Sequence, residues 1–132
     1  MTTPIVFDRI VVDSSGWVEF LANGPKADHF APYLESQTAM LFLPSIVVYE
    51  VHKKLYRERG KGSADEFISQ AFGFRERLIE LTLELAILAS KTSFEASLSM
   101  ADAIIYATAD KYRAQLITSD AHFANLPRVT FI

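Results

Sequence analysis

"VVDSSGWVEF" spans Val11 to Phe20. Two β-branched residues run into an aspartate, two serines follow, and apolar residues then return at helical spacing. With the residues before it the stretch reads "RIVVD", a short β-rich run of the kind that forms a strand buried on both faces, ending at Asp13. Ser14 or Ser15 is placed to cap a helix carrying Trp17, Phe20 and Leu21. A carboxylate where a buried strand stops has two readings. It caps the helix, or it belongs to a site whose other members lie far along the chain.

The same unit recurs downstream. "NGP" breaks the first helix, and Lys26 to Glu35 reads as a second. "AMLFLP" is another short apolar run, stopped by Pro44. Ser45 starts a long helix to about Arg59, with Val47, Val48, Val51 and Leu55 recurring on one side. Gly60 and Gly62 mark a turn between helices, and the Ser63–Glu66 spacing of a capping box starts the next helix. "RLIELT" reads as a third strand leading into the helical "LELAILASKT". "SMADAIIYATADKY" is an alanine-rich helix with Ser99 as its cap. "AQLITSD" repeats the opening, a strand ending on an aspartate, here Asp120. "RVTFI" is a last strand. Short apolar strands alternating with helices predict an α/β fold whose parallel sheet is covered on both faces. There is no repeat, low-complexity tract or linker, and 132 residues fit a single domain over residues 1–132.

Composition narrows the chemistry. Half the residues are apolar and the formal net charge is −3, so any nucleic-acid contact must be local rather than a general basic coat. The absence of cysteine excludes disulfides, thiolate metal sites and cysteine nucleophiles, and fits a reducing compartment. "MTTPIVFDRI" lacks the pattern of a signal peptide, and no apolar run is long enough to span a bilayer. The expectation is a cytoplasmic protein without a membrane segment.

Four acids stand out by position. Asp13 and Asp120 follow strands, Asp102 lies in the first turn of the alanine-rich helix, and Glu50 lies among valines in the long helix. In open parallel α/β sheets ligands gather beyond the carboxyl ends of the strands. Carboxylates brought together there repel unless protons or cations neutralise them, and oxygen ligands without cysteine favour Mg2+ or Mn2+. The structural alternatives are ordinary. Asp13 and Asp120 suit helix or turn caps, and Ser99 to Asp102 has capping-box spacing. Lys53, Lys54 and Arg57 share the face of Glu50, with Arg59 and Lys61 extending the positive charge. They suit a helix C-terminus, or a strip that grips a phosphate backbone. His29, His52 and His122 fit no ligand spacing. His29 and His122 read as surface or turn residues. No phosphate-binding glycine loop, dinucleotide fingerprint or serine triad is present.

Taken in order, "VVDSSGWVEFL", "LPSIVVYEVHKKL", "SMADAIIYATA" and "LITSDAHFANLP" resemble the PIN-domain nucleases, most closely the VapC-type toxins of toxin–antitoxin pairs. The resemblance implies a three-layer α/β/α sandwich with a central parallel sheet of four to five strands, and a Mg2+- or Mn2+-dependent ribonuclease. It implies that Asp13, Glu50, Asp102 and Asp120 are acidic ligands. Ser15 matches the small polar residue after the first aspartate, and Thr118 the hydroxyl residue before the last. Some relatives carry an extra acid beside the fourth position. Here Ala121 and His122 follow Asp120, a departure that bears on a second metal position. The implied partners are RNA, an antitoxin whose tail occupies the active-site groove, and a second copy of the chain.

Two other classes also fit acids at strand ends. A phosphatase or receiver domain would carry an Asp-x-Asp after the first strand or an acidic pair before Asp13, and neither is present. A non-catalytic PIN-like module that binds RNA or protein would have no use for all four acids.

Overall fold

A computed structural model describes residues 6–73 and 77–132. Of the opening "MTTPIVFDRI", the first five residues lie outside these. The elements are β1 (Arg9–Val12), α1 (Ser14–Leu21), α2 (Ala27–Leu34), β2 (Met40–Pro44), α3 (Ser45–Arg59), α4 (Lys61–Phe72), β3 (Leu78–Ile79), α5 (Leu83–Ala96), α6 (Met100–Lys111), β4 (Gln115–Thr118) and β5 (Val129–Phe131). A short 3-10 turn, Ala121–Phe123, joins β4 to β5.

Among the described residues all strand pairings are parallel, in the order β3-β2-β1-β4-β5. Ile10, Val11, Val12, Leu43, Leu116 and Ile117 are fully buried, as expected of strands covered on both faces. Right-handed crossovers put α1 to α4 on one face and α5 and α6 on the other. The packing follows: α1 touches α2 and α3, α3 touches α4, and α5 touches α6. The result is the expected α/β/α arrangement with five strands.

The order reverses at β1. The chain steps from β1 to β2 to β3 on one side, then returns to place β4 on the other. Such a reversal opens a crevice at the carboxyl ends of the two central strands. Val12 pairs with Ile117, and the Asp13 amide donates to the Ile117 carbonyl at 3.2 Å. Residues following β1 and β4 are therefore delivered side by side. Gly16 sets how closely α1 approaches. A Cβ there would lie 2.5 Å from Val12 Cγ1 and 2.6 Å from the Phe30 ring, closer than carbon atoms pack.

Three local expectations are corrected. The N-cap of α1 is Asp13, whose side chain accepts from the Gly16 amide, not Ser14 or Ser15. Helix α4 begins at Lys61, before the Ser63–Glu66 pair, because Gly60 (φ 89°) ends α3 and lets the chain restart at once. The third strand is only Leu78–Ile79, paired to β2 on one side, and Thr82 within "RLIELT" instead caps α5 through the Leu85 amide.

Candidate metal centre

Asp13 sits at the crevice with 2% of its surface exposed. Three donors hold its carboxylate: the Ser15 hydroxyl to Oδ1 at 2.6 Å, the Gly16 amide to Oδ1 at 3.3 Å, and the Thr118 hydroxyl to Oδ2 at 2.8 Å. They do not fully replace water. Burial pushes its pKa up to about 6, with a smaller push from Asp120 and opposition from the three donors. The capping and site readings of Asp13 are therefore compatible: one oxygen caps α1 while the group stays in the field of Asp120.

The residues around Asp13 form one network. Thr118 Oγ1, fully buried at the end of β4, also accepts from the Asp120 amide at 2.9 Å. The hydroxyl of Ser119 lies 3.2 Å from that of Ser15. Ser14 Oγ donates to Glu50 Oε1 at 2.7 Å, tying the start of α1 to the middle of α3. Glu50 is half-buried on α3, beside the buried stripe of Val47, Val51 and Leu55.

Asp102, in the first turn of α6, is largely buried. Burial raises its pKa most, followed by the negative charge of Asp120; Ser99 lowers it, Glu50 raises it again and His122 lowers it. These couplings place the four sequence-picked acids in one electrostatic neighbourhood. They do not make all four equivalent. The tight group is Asp102, Asp120 and His122, whose ligand atoms all lie within 4.8 Å of one another. His122 Nδ1 is 3.0 Å from Asp120 Oδ1 and 3.6 Å from Asp102 Oδ2. Asp13 and Glu50 flank this group.

His122 is an exposed turn residue, as its sequence context suggests, but its place in this group is not given by any ligand spacing. The available signal was Asp120-Ala121-His122. An aspartate accepting from the amide two residues on folds that residue back over itself, and the Asp120 side chain does accept from the His122 amide at 2.9 Å. Ser14 and Ser119 were also missed as network members.

The basic residues divide. Lys53, Lys54 and Arg57 line a cleft of about 380 Å³ together with Ser14, Ser15 and Glu50. Lys61 does not extend that strip, because it belongs to α4 and pairs with Asp65 at 2.6 Å. Arg59 turns toward the carbonyl of Ala22. Among the described residues no helix is long and apolar enough to cross a membrane.

The donor chemistry fits a divalent cation. Two carboxylates and one imidazole meet, with Asp13 and Glu50 flanking them, cysteine is absent, and burial raises the pKa of both Asp13 and Asp102. The PIN domain family model matches residues 10–129, from β1 into β5. The chain belongs to the PIN domain family. Comparison with curated proteins gives no match. Solved structures share the PIN architecture. A toxin–antitoxin complex from Klebsiella pneumoniae superposes with a TM-score of 0.72 at 21% identity, over 92% of this chain and 95% of that one. VapC20 of Mycobacterium tuberculosis, described as a toxin that cleaves the sarcin-ricin loop, gives 0.72 at 22%, over 91% and 96%. VapBC2 of Rickettsia felis, bound to a DNA fragment from its promoter, gives 0.70 at 16%, over 94% and 97%. At these identities the likeness is one of fold. The matched span includes Asp13, Glu50, Asp102 and Asp120.

Proposed function

We propose that this PIN domain is a divalent-metal-dependent endoribonuclease and the toxin of a toxin–antitoxin pair, working in the cytoplasm. The observation that carries the reading is the meeting of Asp102 and Asp120 at the β1/β4 crevice, beside a buried Asp13 whose carboxyl is pushed up to about 6. Asp13, Asp102, Asp120 and Glu50 would hold Mg2+ or Mn2+ directly or through water. When bound, the ion would polarise a water and offset charge on the scissile phosphate.

The chain's own residues do the rest. Ser15 and Thr118 fix both oxygens of Asp13, so that carboxylate meets a ligand in one orientation. Glu50, held by Ser14, would orient the attacking water and take its proton. The water oxygen would bond to phosphorus as one P–O ester bond breaks, and the departing ribose oxygen would take a proton from solvent. Lys53, Lys54 and Arg57 line the adjoining cleft, where cations suit the phosphates flanking the cut.

The partners follow from the same reading. Several solved neighbours are toxin–antitoxin assemblies, which supports an antitoxin that covers this groove. A second copy suits α5, where Leu83, Ile87 and Phe94 are exposed on one side of the helix.

The test is RNA cleavage with defined metal. Asp102→Asn lowers the rate on the order of 100-fold or more while the melting profile keeps its folded form. Equal cleavage by parent and variant under strict metal control refutes the site. A chain that binds RNA and metal without cutting is a binding module, and one that hydrolyses phosphate monoesters but not RNA is a phosphatase.

A further inference from the structure

On the reading that the crevice holds a divalent ion, we propose that His122 ligates that ion directly through Nδ1, and that this nitrogen makes the site select first-row transition dications such as Mn2+ over Mg2+.

The spacing carries the first half. In octahedral coordination with bonds of about 2.1 Å, neighbouring ligand atoms lie about 3 Å apart. His122 Nδ1 stands 3.0 Å from Asp120 Oδ1 and 3.6 Å from Asp102 Oδ2. One ion can touch all three with little movement. The backbone that presents the ring is fixed on both sides. Asp120 accepts from the His122 amide, and the next residue, Phe123, is fully buried and stacks on Tyr106 with ring centres 6.5 Å apart. The His122 side chain is itself 77% exposed, so water can satisfy the proton on its other nitrogen.

Donor type carries the second half. Mg2+ takes oxygen ligands and gives up its water reluctantly, whereas a first-row transition dication gains from an imidazole nitrogen, Mn2+ least along the row but still more than Mg2+. Removing the nitrogen should therefore cost Mn2+ much more than Mg2+. The rival role for His122 is a counter-ion, a protonated ring that balances two aspartates in the metal-free protein. The two roles predict opposite signs. Deleting a ligand weakens Mn2+ binding, whereas deleting a competing cation leaves it unchanged or strengthens it.

The experiment uses the full chain, stripped of metal and titrated with Mn2+ and with Mg2+, together with pulsed electron paramagnetic resonance of the Mn2+ form. The expected result has three parts. The parent gives nitrogen modulation from a coordinated imidazole. His122→Asn loses that modulation and binds Mn2+ about tenfold more weakly or worse, with Mg2+ affinity nearly unchanged. His122→Asp restores an oxygen donor and moves the preference toward Mg2+. The parent spectrum needs no variant, so a folding defect in His122→Asn cannot mask the answer. Bound Mn2+ that is weakened by Asp102→Asn but gives no nitrogen modulation overturns the His122 assignment and leaves the carboxylate site standing. Mn2+ that fails to bind, or is indifferent to Asp102→Asn, overturns the metal-site reading beneath it.

Discussion

Asp13→Asn should make the metal-free protein more stable above about pH 6, and the gain should disappear in acid. The Asp13 carboxyl goes from 3.8 to about 6 on folding. Between those values the folded chain binds more protons than the unfolded one, so its stability falls as pH rises through the window. A shift of about 2 units corresponds to about 3 kcal/mol, lost in full above the folded value and absent below pH 3.8. An amide has no charge to bury and escapes this loss. It disturbs one contact, since the Thr118 hydroxyl that donates to Oδ2 would face an amide donor, at a cost of about 1 kcal/mol. The net gain is about 2 kcal/mol, or about 7 °C in melting temperature for a chain of this size. The assay is thermal unfolding of both proteins in chelator from about pH 4 to pH 8. Asp102 and the other titrating groups are common to both and largely cancel in the difference. Adding Mn2+ should close the gap by stabilising the ionised parent. Parallel curves across the whole pH range, or a variant less stable than the parent at pH 8, would refute the account of Asp13 as a carboxylate strained by burial.

Further consequences are open to measurement. Lys54→Ala and Arg57→Ala should each weaken RNA binding about uniformly across sequences and lower the salt slope by roughly one, read from affinities at several ionic strengths. Gly16→Ala should destabilise by about 1–3 kcal/mol in urea titration, because its methyl would collide with Val12 and Phe30. Phe94→Glu should shift sedimentation toward the monomer while the isolated chain keeps its melting profile, since Phe94 is 90% exposed and contributes little to the core.

The sheet was legible because parallel strands buried on both faces write themselves as short unbroken apolar runs, as in "RIVVD" and "AQLITSD". Both runs ended on an acid at the sheet edge, so the pairing of Asp13 with the Thr118–Asp120 segment followed from topology. The edge strand was harder. Leu78–Ile79 has a partner on one side only, and pattern alone could not separate it from the cap at Thr82. Capping signals misled at Ser63 because backbone geometry at Gly60 had already started the helix. His122 escaped because its place depends on a two-residue fold-back against Asp120, which no helical or strand period records.

The crevice joins positions about a hundred residues apart. A chain emerging from the ribosome displays Asp13 early, yet the Thr118 hydroxyl, Asp120 and His122 arrive only after α6 has been made. Polypeptide that has not reached Thr118 thus carries an unassembled edge beside Asp13.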